Sequence, residues 1–298
     1  MFNLIFQQQI ARYSRDGLLK IVAFVLIIVL LPGLFIADCS FYLRGLVSKV
    51  FQQGVRLLLN YQTKDYEVLK SESFILKYTQ EERELAPLIL ELAEEYLVRT
   101  EEVFGAKHRA GRIPLVLYGD EAALNKSFGW AGDKSTAGVY WAGTIRLVSP
   151  RGWTGALPQS AAEAGATFAK EGPLAHELTH LLVDEVTGGN YPRWLTEGLA
   201  QYVEEQITGF TLSEPTLDSR ASLYSLAALD RSFDEQADQF LAYWQSLQAV
   251  RQLLAHYGNE KMTNLLECLG QGKAFKSAFA AVYGLSFADF ELCYNLYH

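Results

Sequence analysis

The chain has 298 residues, enough to bury a large core as one domain or as two lobes sharing a cleft. Half of the residues are apolar and a fifth are charged, which excludes a largely disordered chain. A net charge of −8 without any cluster of Lys and Arg excludes a nucleic-acid footprint, because neutralising phosphates needs grouped cations.

A short tail, residues 1–16, leads into a run in which every residue from Ile21 to Ala37 is apolar, Pro or Gly. Lys20 can snorkel, so Gly17 to Leu19 lengthen the run to about 20 residues, roughly 30 Å as helix, which spans a bilayer. Cleavage after Ala37 would put bulky Phe35 where a signal peptidase wants a small residue, and Cys39 follows Asp38 where a lipobox wants a neutral one. An uncleaved transmembrane anchor over 17–37 is the expectation. Arg12, Arg15 and Lys20 before it are balanced by Arg44, Lys49 and Arg56 after it, so charge gives no orientation.

Residues 38–65 form a juxtamembrane linker. Within it Phe41, Leu43, Leu46, Val47, Val50, Phe51, Val55 and Leu58 recur at helical spacing. Two readings stand: a helix lying on the membrane surface, or a helical spacer packed on the following domain. From Tyr66 the pattern turns to strands, with Val68 and then Phe74 to Leu76 suggesting a hairpin. A long helix follows from about Gln80 to Phe104, then a buried strand from Ile113 to Tyr118. Two more strands, Gly138 to Ala142 and Ile145 to Val148, join at Gly143-Thr144. Arg151 to Gly172 is rich in Ala, Gly and Ser and reads as a loop or weak helix. Everything after Pro173 reads as helix, punctuated by Gly188 to Asn190, Gly209, Ser213 to Pro215, Gly258, Gly270 to Gly272 and Gly284. The expected fold class is α+β, with one domain over 66–298 whose lobes divide at about 66–187 and 188–298.

Cys39, Cys268 and Cys293 are too few for a disulfide framework and match no zinc-knuckle spacing. Cys268 and Cys293 either pair or remain buried thiols. His108 and His256 have no ligand spacing and read as structural or surface residues.

Chemistry concentrates in His176-Glu177-Leu178-Thr179-His180, just inside a helix that Pro173 opens. Four residues give about 400° of rotation and about 6 Å of rise, so both imidazoles lie on one face and can share an ion. Glu177 sits beside that face, where its carboxylate can act on water without ligating. Two surface histidines would give the same pattern, so a third ligand is needed. Asp184 lies about 12 Å along the axis from His176, too far for a tetrahedral ion, and is assigned a solvated or supporting role. Glu197, in Trp194-Leu195-Thr196-Glu197-Gly198, is the better candidate: Gly188 to Asn190 end the first helix, Pro192 opens a second, and the short connection folds one onto the other. Gln201 and Glu204 share the face of Glu197 and read as solvated, with ligand-orienting hydrogen bonds as the alternative.

HELTH followed by WLTEG resembles the gluzincin superfamily of zinc metallopeptidases, and more narrowly the peptidase MA-like domain proteins. The likeness extends over about 66–298. It implies a zincin-like fold with a small β-sheet, an active-site helix and a helical C-terminal lobe. It further implies Zn2+ held by His176, His180 and Glu197, and Glu177 as general base, the zinc acidifying water and polarising the scissile carbonyl. Tyr243 looks like the tyrosine that stabilises the oxyanion in aminopeptidase-N-type relatives; a core aromatic would read the same way. By the same likeness Ile145 to Ser149 is the edge strand onto which a peptide adds. The amine-binding glutamate motif of aminopeptidases is absent. The resulting expectation is a single-pass membrane metallopeptidase acting on a peptide or protein substrate, its catalytic domain outside the cytoplasm. An inactive membrane-tethered relative, or a zinc hydrolase of another substrate, is the rival reading.

Overall fold

Alternation along the central strands sets up the architecture. The computed structural model describes residues 40–105, 107–108, 111–130, 136–153, 158, 160–216 and 223–297. The apolar run at 17–37, the tail before it and Cys39 lie outside them. Among the described residues no helix is long and apolar enough to cross a membrane.

The first helix among the described residues, α1 (Ser40–Gln62), leads to a five-stranded mixed sheet made of β1 (Glu67–Lys70), β2 (Phe74–Tyr78), β3 (Ile113–Tyr118), β4 (Gly138–Trp141) and β5 (Thr144–Val148), in the order β1-β2-β3-β5-β4. β2, β3 and β5 run parallel, while β1 and β4 are antiparallel to their neighbours. In β3 and β5 the odd-numbered Ile113, Leu115, Leu117, Ile145 and Leu147 join the main core. Val116, Tyr118 and Val148 face the other way, into a second core with Leu59, Leu124 and Phe128. A period of two thus sends each strand's side chains to two different apolar layers.

On the main-core side lie α2 (Ala86–Phe104) and then the helical half of the chain. This comprises α4 (Ala161–Glu171), α5 (Leu174–Thr187), α6 (Arg193–Thr208), α7 (Leu226–Ser232), α8 (Gln239–Gly270), α9 (Phe275–Tyr283) and α10 (Phe287–Tyr297). The short α3 (Glu121–Phe128) and α1 cover the opposite face. α8 is broken at Gly258, whose φ of +77° suits glycine alone.

Several expectations need correction. The stretch read as a helix from Gln80 begins as a separate 3-10 turn, Gln80–Glu82, before α2. α3 was not foreseen, although Asp120 caps it by accepting the Ala123 N–H. Of the two readings of the Ala- and Gly-rich stretch the helix holds over Ala161–Glu171, as α4, capped by Ser160. Ile145 to Ser149 is not an edge: β5 pairs with β3 on one side and β4 on the other, and all of Thr144–Val148 is buried. The chain reverses at Ala142-Gly143, both with positive φ, and the partly buried β4 takes the edge. Cys268 and Cys293 are unpaired, the first half-buried and the second exposed. α1 packs on the domain with Leu59 in the second core and Val55 buried.

Candidate metal centre

α5 starts directly after Pro173, with the Glu177 N–H donating to the Pro173 carbonyl, and ends at Gly188 in the left-handed conformation. His176 and His180 therefore stack one turn apart, their ring centroids 4.8 Å from each other. After the connection through Pro192, α6 returns along α5 and seats Trp194, Leu195 and Leu199 in the core. Gly198 makes the next contact possible: a Cβ there would meet the Ser246 carbonyl oxygen at 2.2 Å, so only glycine lets α8 pack this close behind Glu197.

The result is convergence. Glu197 Oε2 lies 3.3 Å from His176 Nε2 and 3.5 Å from His180 Nε2. These are ion-pair distances without hydrogen-bond geometry, and Oε2 is a buried oxygen with no hydrogen-bond partner. Its twin Oε1 receives Arg193 Nη2 at 2.8 Å. Ligands about 2.1 Å from a tetrahedral ion stand about 3.4 Å apart, so the two measured separations match the edge of such a site. His176, His180 and Glu197 could hold a metal ion. An orphaned carboxylate oxygen facing two imidazole nitrogens at this spacing fits a zinc-sized cation.

The outer ring nitrogens are held. His180 Nδ1 is 2.7 Å from Thr196 Oγ1, and His176 Nδ1 is 3.3 Å from both Glu204 Oε2 and Gln201 Nε2. Gln201 and Glu204 are buried, which corrects their reading as a solvated face. The face is covered because α6 lies against the start of α5. Asp184 is no ligand: its Oδ2 accepts the Tyr140 hydroxyl at 2.6 Å, tying the end of α5 to β4. His108 bonds Glu185 and the Gly111 carbonyl and is structural, while His256 is a surface residue that contacts the Gln252 carbonyl of its own helix.

β4 reaches Glu177 from the side. The Tyr140 N–H donates to Glu177 Oε2, and a Cβ on Gly138 would lie 2.6 Å from Pro173 Cγ, so that glycine permits the approach. Burial raises the Glu177 pKa, opposed by the charges of His176 and His180. Burial also acts to raise that of Glu197, but the charges of His180 and Arg193 prevail and hold it well below the usual carboxylate range. His176 is lowered by burial, yet Glu197 and Glu204 keep it protonated well above an ordinary histidine. Tyr243 lies half-buried beside Phe233, and the Glu197 charge and burial push its pKa up, so it stays a neutral donor.

Arg193, Thr196 and Tyr140 were not singled out from the sequence. Arg193 could have been, since it precedes Glu197 by one helical turn. Tyr140 carries no such signal, because its contact depends on how β4 lies against α5.

A family model described as the peptidase MA superfamily matches residues 93–297. No curated protein matches the chain.

Proposed function

The chain belongs to the peptidase MA superfamily, and on that premise we propose that it is a zinc-dependent metallopeptidase of the HExxH-plus-Glu type. The observation that carries this reading is the buried Glu197 Oε2, without a hydrogen bond and facing the Nε2 atoms of His176 and His180. These three residues would hold the ion, and zinc there would supply Lewis-acid polarisation of the scissile carbonyl.

The chain's own groups do the rest. Glu204 and Thr196 accept from the outer imidazole nitrogens and so leave both Nε2 lone pairs for the ion. Glu177 takes a proton from the attacking water as its oxygen bonds to the carbonyl carbon, then delivers that proton to the leaving nitrogen as the C–N bond breaks. A carboxylate pKa raised by burial suits both halves of that exchange. The Tyr140 N–H fixes the direction of the carboxylate. Tyr243, a neutral hydroxyl beside the site, donates to the oxygen that gains charge.

The substrate is a peptide or protein. The apolar run at 17–37 anchors the enzyme in a membrane, with the catalytic domain outside the cytoplasm. The test is cleavage of a mixed peptide library by the full chain, beside Glu177→Gln and a chelator-treated sample. Cleavage lost in both controls supports the peptidase. Binding of one zinc per chain without cleavage of any peptide would transfer the fold to an inactive relative or a non-peptide hydrolase.

A further inference from the structure

α1 is apolar on two opposite sides. Val55 and Leu59 are buried, Leu59 in the second core, while Leu57 is 71% exposed and Tyr61 68% exposed. Val50, Leu57, Leu58 and Tyr61 stand at i, i+7, i+8 and i+11, which gathers them into an arc of about 100°, with Leu57 and Tyr61 exposed and Val50 and Leu58 partly buried. Phe51, 45% exposed, borders this stripe while its ring meets Trp141 edge-on. Leu57 and Tyr61 are the two most exposed large apolar side chains among the described residues, and they stand one helical turn apart.

Charge identifies that neighbour. Residues 40–64 carry Arg44, Lys49, Arg56 and Lys64 and no carboxylate, in a chain whose net charge is −8. Lys49 and Lys64 are exposed along one flank of the stripe, together with Gln53 and Asn60. The stripe measures roughly 17 Å by 10 Å, far below the roughly 800 Å2 per partner of a stable protein interface. It is wide enough to sink into a headgroup layer, and Tyr61 is of the type that settles there. Directly before Ser40 the chain carries the apolar run that ends at Ala37.

We propose that α1 lies on an anionic lipid surface, with Leu57 and Tyr61 immersed and Lys49 and Lys64 at the phosphates, so that the domain is held at the bilayer by a contact besides the anchor. The inference takes its location from the membrane anchor proposed above, and flotation tests that anchor separately. The experiment uses the full chain with Cys39, Cys268 and Cys293 changed to Ser and one new cysteine, Leu57→Cys or Gln53→Cys, carrying an environment-sensitive fluorophore. It is reconstituted in phosphatidylcholine vesicles with or without phosphatidylglycerol. On anionic vesicles nitroxide lipids are expected to quench the label at 57 several-fold more than that at 53, iodide is expected to show the reverse order, and high salt is expected to shrink the difference. Equal quenching at both positions in protein that floats overturns the surface contact and leaves the anchor standing. A label at 57 shielded from iodide yet silent to nitroxide lipid gives the stripe to protein and also overturns it. Failure to float overturns both.

Discussion

On the face of the sheet that packs against α5, the buried carboxylates of Glu197, Glu204 and Glu177 stand against the imidazoles of His176 and His180, and the exposed Arg193 reaches in to Glu197. On the other face Arg146 is just as deeply buried, 1% exposed, but among the described residues no carboxylate pairs with it. Its guanidinium donates to Ser127 Oγ at 2.7 Å and lies 4.0 Å from the centre of the Phe128 ring, and its Nε has no hydrogen-bond partner. Burial pulls its pKa down. One face leaves an acceptor oxygen over, which a cation could complete; the other leaves a cation over, settled by a hydroxyl and a ring. Buried charge by itself is therefore no mark of a site. The sign and direction of the unsatisfied atom are.

The largest test of this contrast is Glu177→Gln, expected to lower kcat by about 10²–10⁴-fold while zinc content, read by metal analysis, stays at the native level. Next is Arg146→Ala, which empties a long buried side chain and should cost about 2–5 kcal/mol in urea unfolding, with zinc affinity unchanged. Arg146→Met, of similar length and without the charge, should be neutral or stabilising, as replacement of buried ionic groups by matched apolar ones often is. A marked loss in the Met variant would mean that the guanidinium itself is required and would erase the contrast. Glu204→Ala should weaken zinc about 10–100-fold in a chelator competition, because His176 loses the acceptor that orients it. The smallest effect is protonic. The metal-free His176 keeps its proton well above the usual histidine range, so binding near neutral pH must displace it. Zinc affinity should rise with pH until that raised pKa is passed, and calorimetry in buffers of different ionisation heat should show about one proton released. No release would mean that His176 is already neutral and that Glu197 and Glu204 do not hold it charged.

Local rules carried far in this chain. The four-residue spacing of His176 and His180 places both on one face whatever surrounds the helix. Gly188 and Pro192 mark its end and the start of the next, so the return of Glu197 toward the pair was legible too. The burial of Gln201 and Glu204 comes from α6 lying along α5, a contact between helices that residue type does not announce. Arg146 alternates with Ile145 and Leu147 as a solvent-facing residue would, but α1 and α3 cover the face it points to. The edge strand was misassigned for a similar reason: which of two hairpin strands joins the parallel pair is settled by packing.

The sequence alone determined the co-facing histidines, the glutamate beside them, the helix breaks and the strands that precede them, because each depends on a backbone period or a turn residue within a few positions. Only the tertiary structure decided that β4, not β5, is the edge strand beside α5, that its Tyr140 N–H holds Glu177, that Arg193 takes one oxygen of Glu197 and leaves the other without a hydrogen bond, and that Leu57 and Tyr61 of α1 stay exposed. Those outcomes depend on the close approach of segments far apart in the chain. The glycines that permit two of these approaches, Gly138 and Gly198, carry no side chain from which the contact could be read.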